Sequence, residues 1–521
     1  MEKTQKSHRL RAGVAMSLLL AQPMAFAATG AQAGSCGDAC LTIATALEPG
    51  SLFVIRDGDD GNTLVNWSIN QPLVDRDAEG NLIPILAAEL PRVDDADPTV
   101  WHVKLREGVR FTNGEAFDAE TVRHNVALVT DPAFGASING IETLKEVRVI
   151  DAHTLELVTN KPDPWLLYRI STLRFVPTEA SKDIEGYAQH PIGTGPYAFV
   201  QWDKGQRIVL EKNDSYWGGD GAQLERVEFR FIPESATRIA SLRSGEVDMV
   251  TSLSPDEVRR VPQVLTSADA ANTTYLRVNL DAPPYDQLAL RQALSMAINR
   301  EVLNTYLWDS KAIIPQCQLL PKGEVGFNDS LVPTPYDPAK AKALLDTVTL
   351  PPDFKVEAIF TTGGYYPKDN EMGQAIAADW EAIGIKSNIQ YVSGDRWLDD
   401  VLAGGPATSA KGPGPLTYLQ LDYHSMYAAR IAGRVYDRTN KMTATGQQGA
   451  QIDTLLATAQ QSFDPAVAAD AFAQINKIAC EQVMVIPLLD FPDIWGATEA
   501  VKYQPGKGVI VRIHLDKIRV E

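Results

Sequence analysis

The chain has 521 residues, room for roughly three domains at ~150 residues each. Its 45% hydrophobic and 22% charged content can build a sizeable globular core, and 37 Gly with 32 Pro exclude collagen-like and low-complexity classes. A formal net charge of −18 repels phosphate backbones and argues against a nucleic-acid partner, and four cysteines are too few for a disulfide scaffold.

The N-terminus sets the expected compartment. Lys3, Lys6, Arg9 and Arg11 precede an apolar run from Ala12 to Ala27, and small residues follow at Ala25-Phe26-Ala27 and Ala31-Gln32-Ala33. Basic, apolar, then small-x-small is the order of a secretory signal peptide, so cleavage is expected after Ala27 or Ala33. The run is broken by Gln22 and Pro23 and falls short of the ~20 residues that a membrane span needs. Cys36 lies too far past it for a good lipidation site.

Leu41 to Thr45 is a predicted edge or first strand, ending in a turn at Glu48-Pro49-Gly50. Trp101, Val103 and Leu105 alternate with His102, Lys104 and Arg106, a period of two that predicts a strand toward Phe111. Asp118 can cap a helix with Ala119, Val122, Val126 and Val129 on one face. Val147 and Val149, then Leu155 and Leu157, flank Asp151-Ala152-His153 as a hairpin. Val227, Phe229 and Phe231 predict a half-buried strand, and Ser254-Pro255-Asp256-Glu257 is a capping box. A strand from Phe354 to Phe360, a helix carrying Met372, Ile376, Trp380 and Ile383, and a strand from Ile385 to Tyr391 make a right-handed crossover unit. Asp464-Pro465 caps a helix with Ala468, Phe472, Ile475 and Ala479 inward, followed by a strand from Val483 to Leu489. Gly404 to Pro415 is a predicted surface loop. The fold class is mixed α/β.

Catalytic motifs are scarce. There is no Gly-x-Ser-x-Gly elbow, phosphate loop or His-Glu-x-x-His. Gly193-Thr194-Gly195 lacks a third glycine and precedes Pro196, so it predicts a tight turn. Seven scattered histidines give no metal site, and Cys36 to Cys40 has no second pair to complete a zinc site. In an oxidising compartment that pair is expected to close a small disulfide loop. No cofactor is called for, and nothing nominates a nucleophile.

The segment Trp101-His-Val-Lys-Leu-Arg-Glu-Gly-Val-Arg-Phe-Thr-Asn-Gly-Glu-Ala-Phe-Asp-Ala-Glu-Thr-Val122 resembles the signature of family 5 extracellular solute-binding proteins, the binding components of peptide and nickel ABC importers. His190 to Tyr197, Gly205 to Gly218, Gln71 to Val74, Arg291 to Arg300 and Tyr336 to Leu345 are similar to further blocks of that family, in family order. The resemblance implies a bilobed clamp with a hinge and a middle domain on the first lobe. It implies a division into a signal peptide (1–33), a first lobe (34–69, 191–274 and 496–521), a middle domain (70–190) and a second lobe (275–495). It implies a monomeric periplasmic protein that is not an enzyme and serves an inner-membrane ABC permease with its ATPase subunits.

A short peptide is the expected cargo, with a metal chelate or opine-like carboxylate solute as the alternative. Family members that take peptides often pair an Asp with the peptide amine; here the usual Asp-Pro element is missing and Asp422 is the nearest candidate, with Tyr423 and His424 beside it. Trp397 is a candidate cleft residue, helix packing being the plainer role. Arg169 and Arg174 lie in an apolar segment, and an arginine there needs a partner. Either they hold solute carboxylates, as arginines of a comparable segment do in the chelate binders, or they form salt bridges within the protein. A secreted hydrolase would need a nucleophile or metal ligands that the sequence does not display, and a periplasmic chaperone would bind chains without fixed stoichiometry. Cys317 and Cys480 fall in segments that the resemblance assigns to one lobe, so they are expected to pair; two unrelated buried thiols are the alternative.

Overall fold

Caps and apolar spacing start the helices near the places the sequence expects. In a computed structural model of the chain, described residues run from 39 to 521 apart from 57–59, 78–79, 135–140, 142, 220, 268–271, 363–365, 367, 394–415, 423–426, 438–445 and 507–512. All of them belong to one compact unit, Gly37–Glu521. Asp118 accepts from Thr121 N and opens the helix Ala119–Thr130. Asp464 accepts from Ala466 N, with Pro465 at the first position of Pro465–Glu481. The box at Ser254 and Glu257 forms as expected but caps a 3-10 helix, Pro255–Arg260.

Three sheets carry the architecture. The first has seven strands, in the order Gln263–Thr266, Ile494–Ala497, Met249–Val250, Cys40–Thr45, Arg226–Phe231, Arg207–Lys212, Tyr197–Asp203. Cys40–Thr45 pairs in parallel on both sides, so it is an interior strand and not an edge. Glu228 is buried with three arginines around it, at 3.1 Å from Arg207, 3.9 Å from Arg226 and 2.7 Å from Arg230. These pairs replace the alternation expected of a half-buried strand. The second sheet has four strands, in the order Arg92–Val93, Val100–Lys104, Thr154–Thr159, Leu144–Asp151, and packs against the helix Ala119–Thr130. Its strand from Val100 stops at Lys104, short of Phe111, because Gly108 turns the chain at φ 75°.

The third sheet has five strands, in the order Ser387–Ser393, Val356–Thr362, Leu416–Asp422, Asn272–Val278, Val485–Phe491. The predicted crossover is present: Val356–Thr362 and Ser387–Ser393 lie parallel, joined through the helix Asp369–Ala382, whose Met372, Ile376 and Trp380 are buried. The chain passes between the first and third sheets twice, from Thr266 to Asn272 and from Phe491 to Ile494. Asn272 and Asp493 tie the two passages together with a 3.1 Å hydrogen bond.

Cys317 and Cys480 are joined by a disulfide across 163 residues of sequence. Cys40 is disulfide-bonded, and Cys36 lies outside the described residues. Replacing both Cys317 and Cys480 by Ser is expected to destabilise the protein by about 2–5 kcal/mol. Denaturant melts of wild type and double variant check this, and equal midpoints would show that the link does nothing for the fold.

Candidate functional site

The parallel strands of the first and third sheets end on the same side as the two chain passages. In the first sheet, Cys40–Thr45 runs parallel with Arg226–Phe231 and Met249–Val250, while Ile494 enters antiparallel beside Val250. In the third, Val356–Thr362, Ser387–Ser393 and Leu416–Asp422 are parallel, and Asn272 stands opposite both Asp422 and Phe491. Ligands of α/β sheets bind outside the carboxyl ends of parallel strands, so the place to look is around the passages.

Buried polar atoms without partners mark that place. Among the described residues, Thr251 Oγ1, Thr361 Oγ1, Gln420 Oε1 and Asp490 Oδ1 all lack a hydrogen-bond partner. All four sit within three residues of a strand end on that side. Each such group costs stability unless water or a solute satisfies it. A small hollow beside them is lined by Thr45, Leu47, Thr251, Ser252 and Trp495. Two exposed ion pairs bridge the lobes nearby, Arg259 to Asp309 at 3.0 Å and Lys368 to Asp256 at 2.9 Å.

The segment 163–175 touches both neighbours of the second sheet. Trp165 Nε1 donates to Ala459 O at 3.0 Å, and the indole stacks on Tyr427 at 5.7 Å and meets Phe472 edge-on. Trp165 is thereby buried in the core of the third sheet's lobe. Arg169 lies 2.9 Å from the buried Asp163 and 6.0 Å over the Tyr427 ring. Arg174 is 3% exposed: Nη2 donates to Asp75 Oδ2 at 3.1 Å, Nη1 to Asn70 O at 3.1 Å, and the guanidinium covers the Trp67 ring. Both arginines thus have carboxylate partners within the protein.

The motif residues bind one another. Asn70 Nδ2 donates to Phe175 O, Ile192 O and Tyr187 Oη. Gln71 Oε1 accepts from Trp217 Nε1 and Thr194 Oγ1, and its Nε2 donates to Tyr216 Oη. A Cβ on Gly193 would stand 1.9 Å from Ile69 O, and one on Gly195 would stand 2.3 Å from Ser68 O. The glycines are there for close approach of backbone.

Of the residues singled out from sequence, Asp422 ends its strand opposite Asn272, at the passages, with its side chain outside the described set. Trp397, Tyr423 and His424 also lie outside it. Sequence reasoning missed Asp75, Asp163, Thr251, Thr361, Gln420 and Asp490. Asp163, two residues before the apolar run from Trp165 that holds both arginines, was the one signal in the sequence.

Residues 81–426 match the bacterial extracellular solute-binding proteins, family 5 Middle. The chain belongs to this family. It is 26% identical over 383 residues to Heme-binding protein A of Haemophilus influenzae, covering 66% of this chain and 68% of that protein. It is 27% identical over 332 residues to Glutathione-binding protein GsiB of Shigella flexneri, covering 61% and 64% respectively. The chain thus spans about two thirds of the length of these curated relatives. The periplasmic binding protein DppA from Helicobacter pylori, solved with the peptide STSA, superposes with a TM-score of 0.75 at 21% identity, over 92% of this chain and 98% of that one. The fold is therefore the α/β bilobed clamp of the solute-binding proteins. No described helix is long and apolar enough to cross a membrane.

Arg174→Ala leaves Asp75 buried without its cation, so a loss of about 3–5 kcal/mol in denaturant stability is expected. A variant as stable as wild type would remove the pair from the fold's support. The Asp490 carboxyl is pushed up from 3.8 to about 7 by loss of hydration. Between about pH 4 and 7 the folded chain then holds a proton that the unfolded chain has released, so this contribution to stability falls as pH rises. Asp490→Asn is expected to melt like wild type near pH 4 and above it at pH 8, by on the order of a few kcal/mol. Melts across that range check the sign.

Proposed function

We propose that the chain captures a short peptide, or a peptide-like solute, in the cleft between its lobes and delivers it to an inner-membrane ABC permease with its ATPase subunits. The observation that carries this is the set of unpartnered polar groups around the two passages, hydrogen-bonding capacity fitted to a solute with many polar atoms. The glutathione-binding relative and the peptide-bound neighbour support the choice of cargo. Asp422 is the proposed amine partner, and Tyr423, His424 and Trp397 are proposed as further solute contacts on the sequence alone. Arg169 and Arg174 act on the fold, through Asp163 and Asp75. The proposed division keeps a middle domain over 70–190 on the first lobe, a second lobe over 275–495, and a cleaved leader (1–33) that sends the protein to the periplasm as a monomer.

A carboxylate-bearing chelate is the second reading, favoured by the heme-binding relative. It requires a cation turned toward the solute, and both candidate arginines already hold carboxylates. The test is a thermal-shift and calorimetric comparison of free-amine peptides, their N-acetylated forms, and iron or nickel chelates. Free-amine peptides are expected to raise the melting point, and acetylation to weaken binding at least tenfold, about 1.4 kcal/mol. Asp422→Asn is expected to erase the difference between the two forms. Shifts with chelates alone would overturn the peptide reading.

A further inference from the structure

Buried and half-buried arginines without a surface position follow two patterns among the described residues, with one exception. Arg169 and Arg174 hold carboxylates. Arg238, Arg291 and Arg300 have no described carboxylate in contact and turn onto backbone carbonyls. Arg238 donates to Ile232 O, Pro233 O and Ser252 O; Arg291 to Gln482 O, Tyr285 O and Asp286 O; Arg300 to Pro487 O, Ser295 O and Ile298 O. Arg277 does neither. It is 6% exposed, and its one hydrogen bond among the described residues runs 3.4 Å from Nη2 to Thr417 Oγ1, long for an N–H donor. Five N–H donors share a single weak acceptor.

Burial lowers the guanidinium's pKa to about 10, which leaves it charged at any physiological pH. Arg277 stands in the Asn272–Val278 strand, opposite Thr417 on one side and Val485 on the other. Tyr275, two residues back and so on the same face, is 2% exposed, and its phenol feels the positive charge of both Arg277 and Arg434. Tyr436, whose phenol interacts with that of Tyr275, has a buried hydroxyl with no hydrogen-bond partner among the described residues. A buried cation and an unused phenolic donor thus lie around the buried Tyr275 phenol, while Arg434 adds its positive charge from the exposed side. It is remote from the cleft: Arg277 lies five residues along its strand from Asn272, roughly 17 Å.

We propose that this neighbourhood holds a small monoanion, a halide or a carboxylate, as a built-in part of the second lobe. The anion supplies the countercharge that Arg277 lacks among the described residues, and accepts from N–H groups that have no described partner and from Tyr436. Small size follows from the closed surroundings, since Tyr275, Thr417 and Tyr436 are all buried. Without an anion, the arginine would be a net cost to the fold.

The test uses the purified full chain in gluconate buffer, titrated with chloride, formate or phosphate at constant ionic strength while the melting temperature is followed. Chloride or formate is expected to raise it saturably by several degrees, and phosphate, larger and multiply charged, by much less. Arg277→Gln is expected to lose the response. Bromide-soaked crystals should show an anomalous peak within hydrogen-bond distance of the guanidinium. A flat wild-type titration overturns the proposal, as does an Arg277→Met variant that melts above wild type in chloride. If Arg277→Gln fails to fold, the wild-type titration and the bromide peak decide alone, and absence of either overturns it. Peptide binding is read separately, so failure here leaves the cleft reading standing.

Discussion

The side chains of Asn70 and Gln71 are the joint on which the first half of the molecule turns. Between them they bond the chain at Phe175, Tyr187, Ile192, Thr194, Tyr216 and Trp217. The backbone just before them, at Ser68 and Ile69, comes so close to residues 193 and 195 that only glycine fits. A single turn of chain thus fixes where the second sheet leaves the first lobe and where it returns. Arg174 locks the same turn from the other side by donating to Asn70 O. Four stretches of sequence, at 174–175, 187, 192–195 and 216–217, meet there, which accounts for motifs that carry no chemistry of their own.

The second constraint is topological. Two passages lie side by side, and parallel strands from both lobes end against them. At these strand ends both sheets leave polar atoms with no hydrogen-bond partner among the described residues. Capture without catalysis needs no more than this, since closure around a solute is a hinge motion and the binding energy comes from groups already in place.

Much of this was legible in the sequence where the determinant is local. The Asp118 and Asp464 caps, the hairpin around Asp151 and the crossover through Met372 and Trp380 depend on residues a few positions apart, and each is found near its expected place. Errors arose where a distant partner decides. Cys40–Thr45 is interior because strands beginning 186 and 209 residues later flank it. Glu228 is buried because Arg207 and Arg226 reach it. For the site, the sequence pointed to the end of the Leu416–Asp422 strand, and the register puts that end at the passages. It could not show that Arg174 faces Asp75, 99 residues away, or that polar groups of Thr251 and Asp490 are left over, because leftover capacity exists only once the packing is complete.

Trp165 has a mechanical consequence. Its indole belongs by sequence to the second sheet's domain, yet it sits inside the other lobe's core, hydrogen-bonded to Ala459. Prising the lobes apart must either carry that stretch along with the second lobe or pull an indole out into water. Re-exposing such a side chain costs about 2–3 kcal/mol, so a motion that leaves the indole seated and moves the 163–175 stretch with the second lobe is the cheaper of the two.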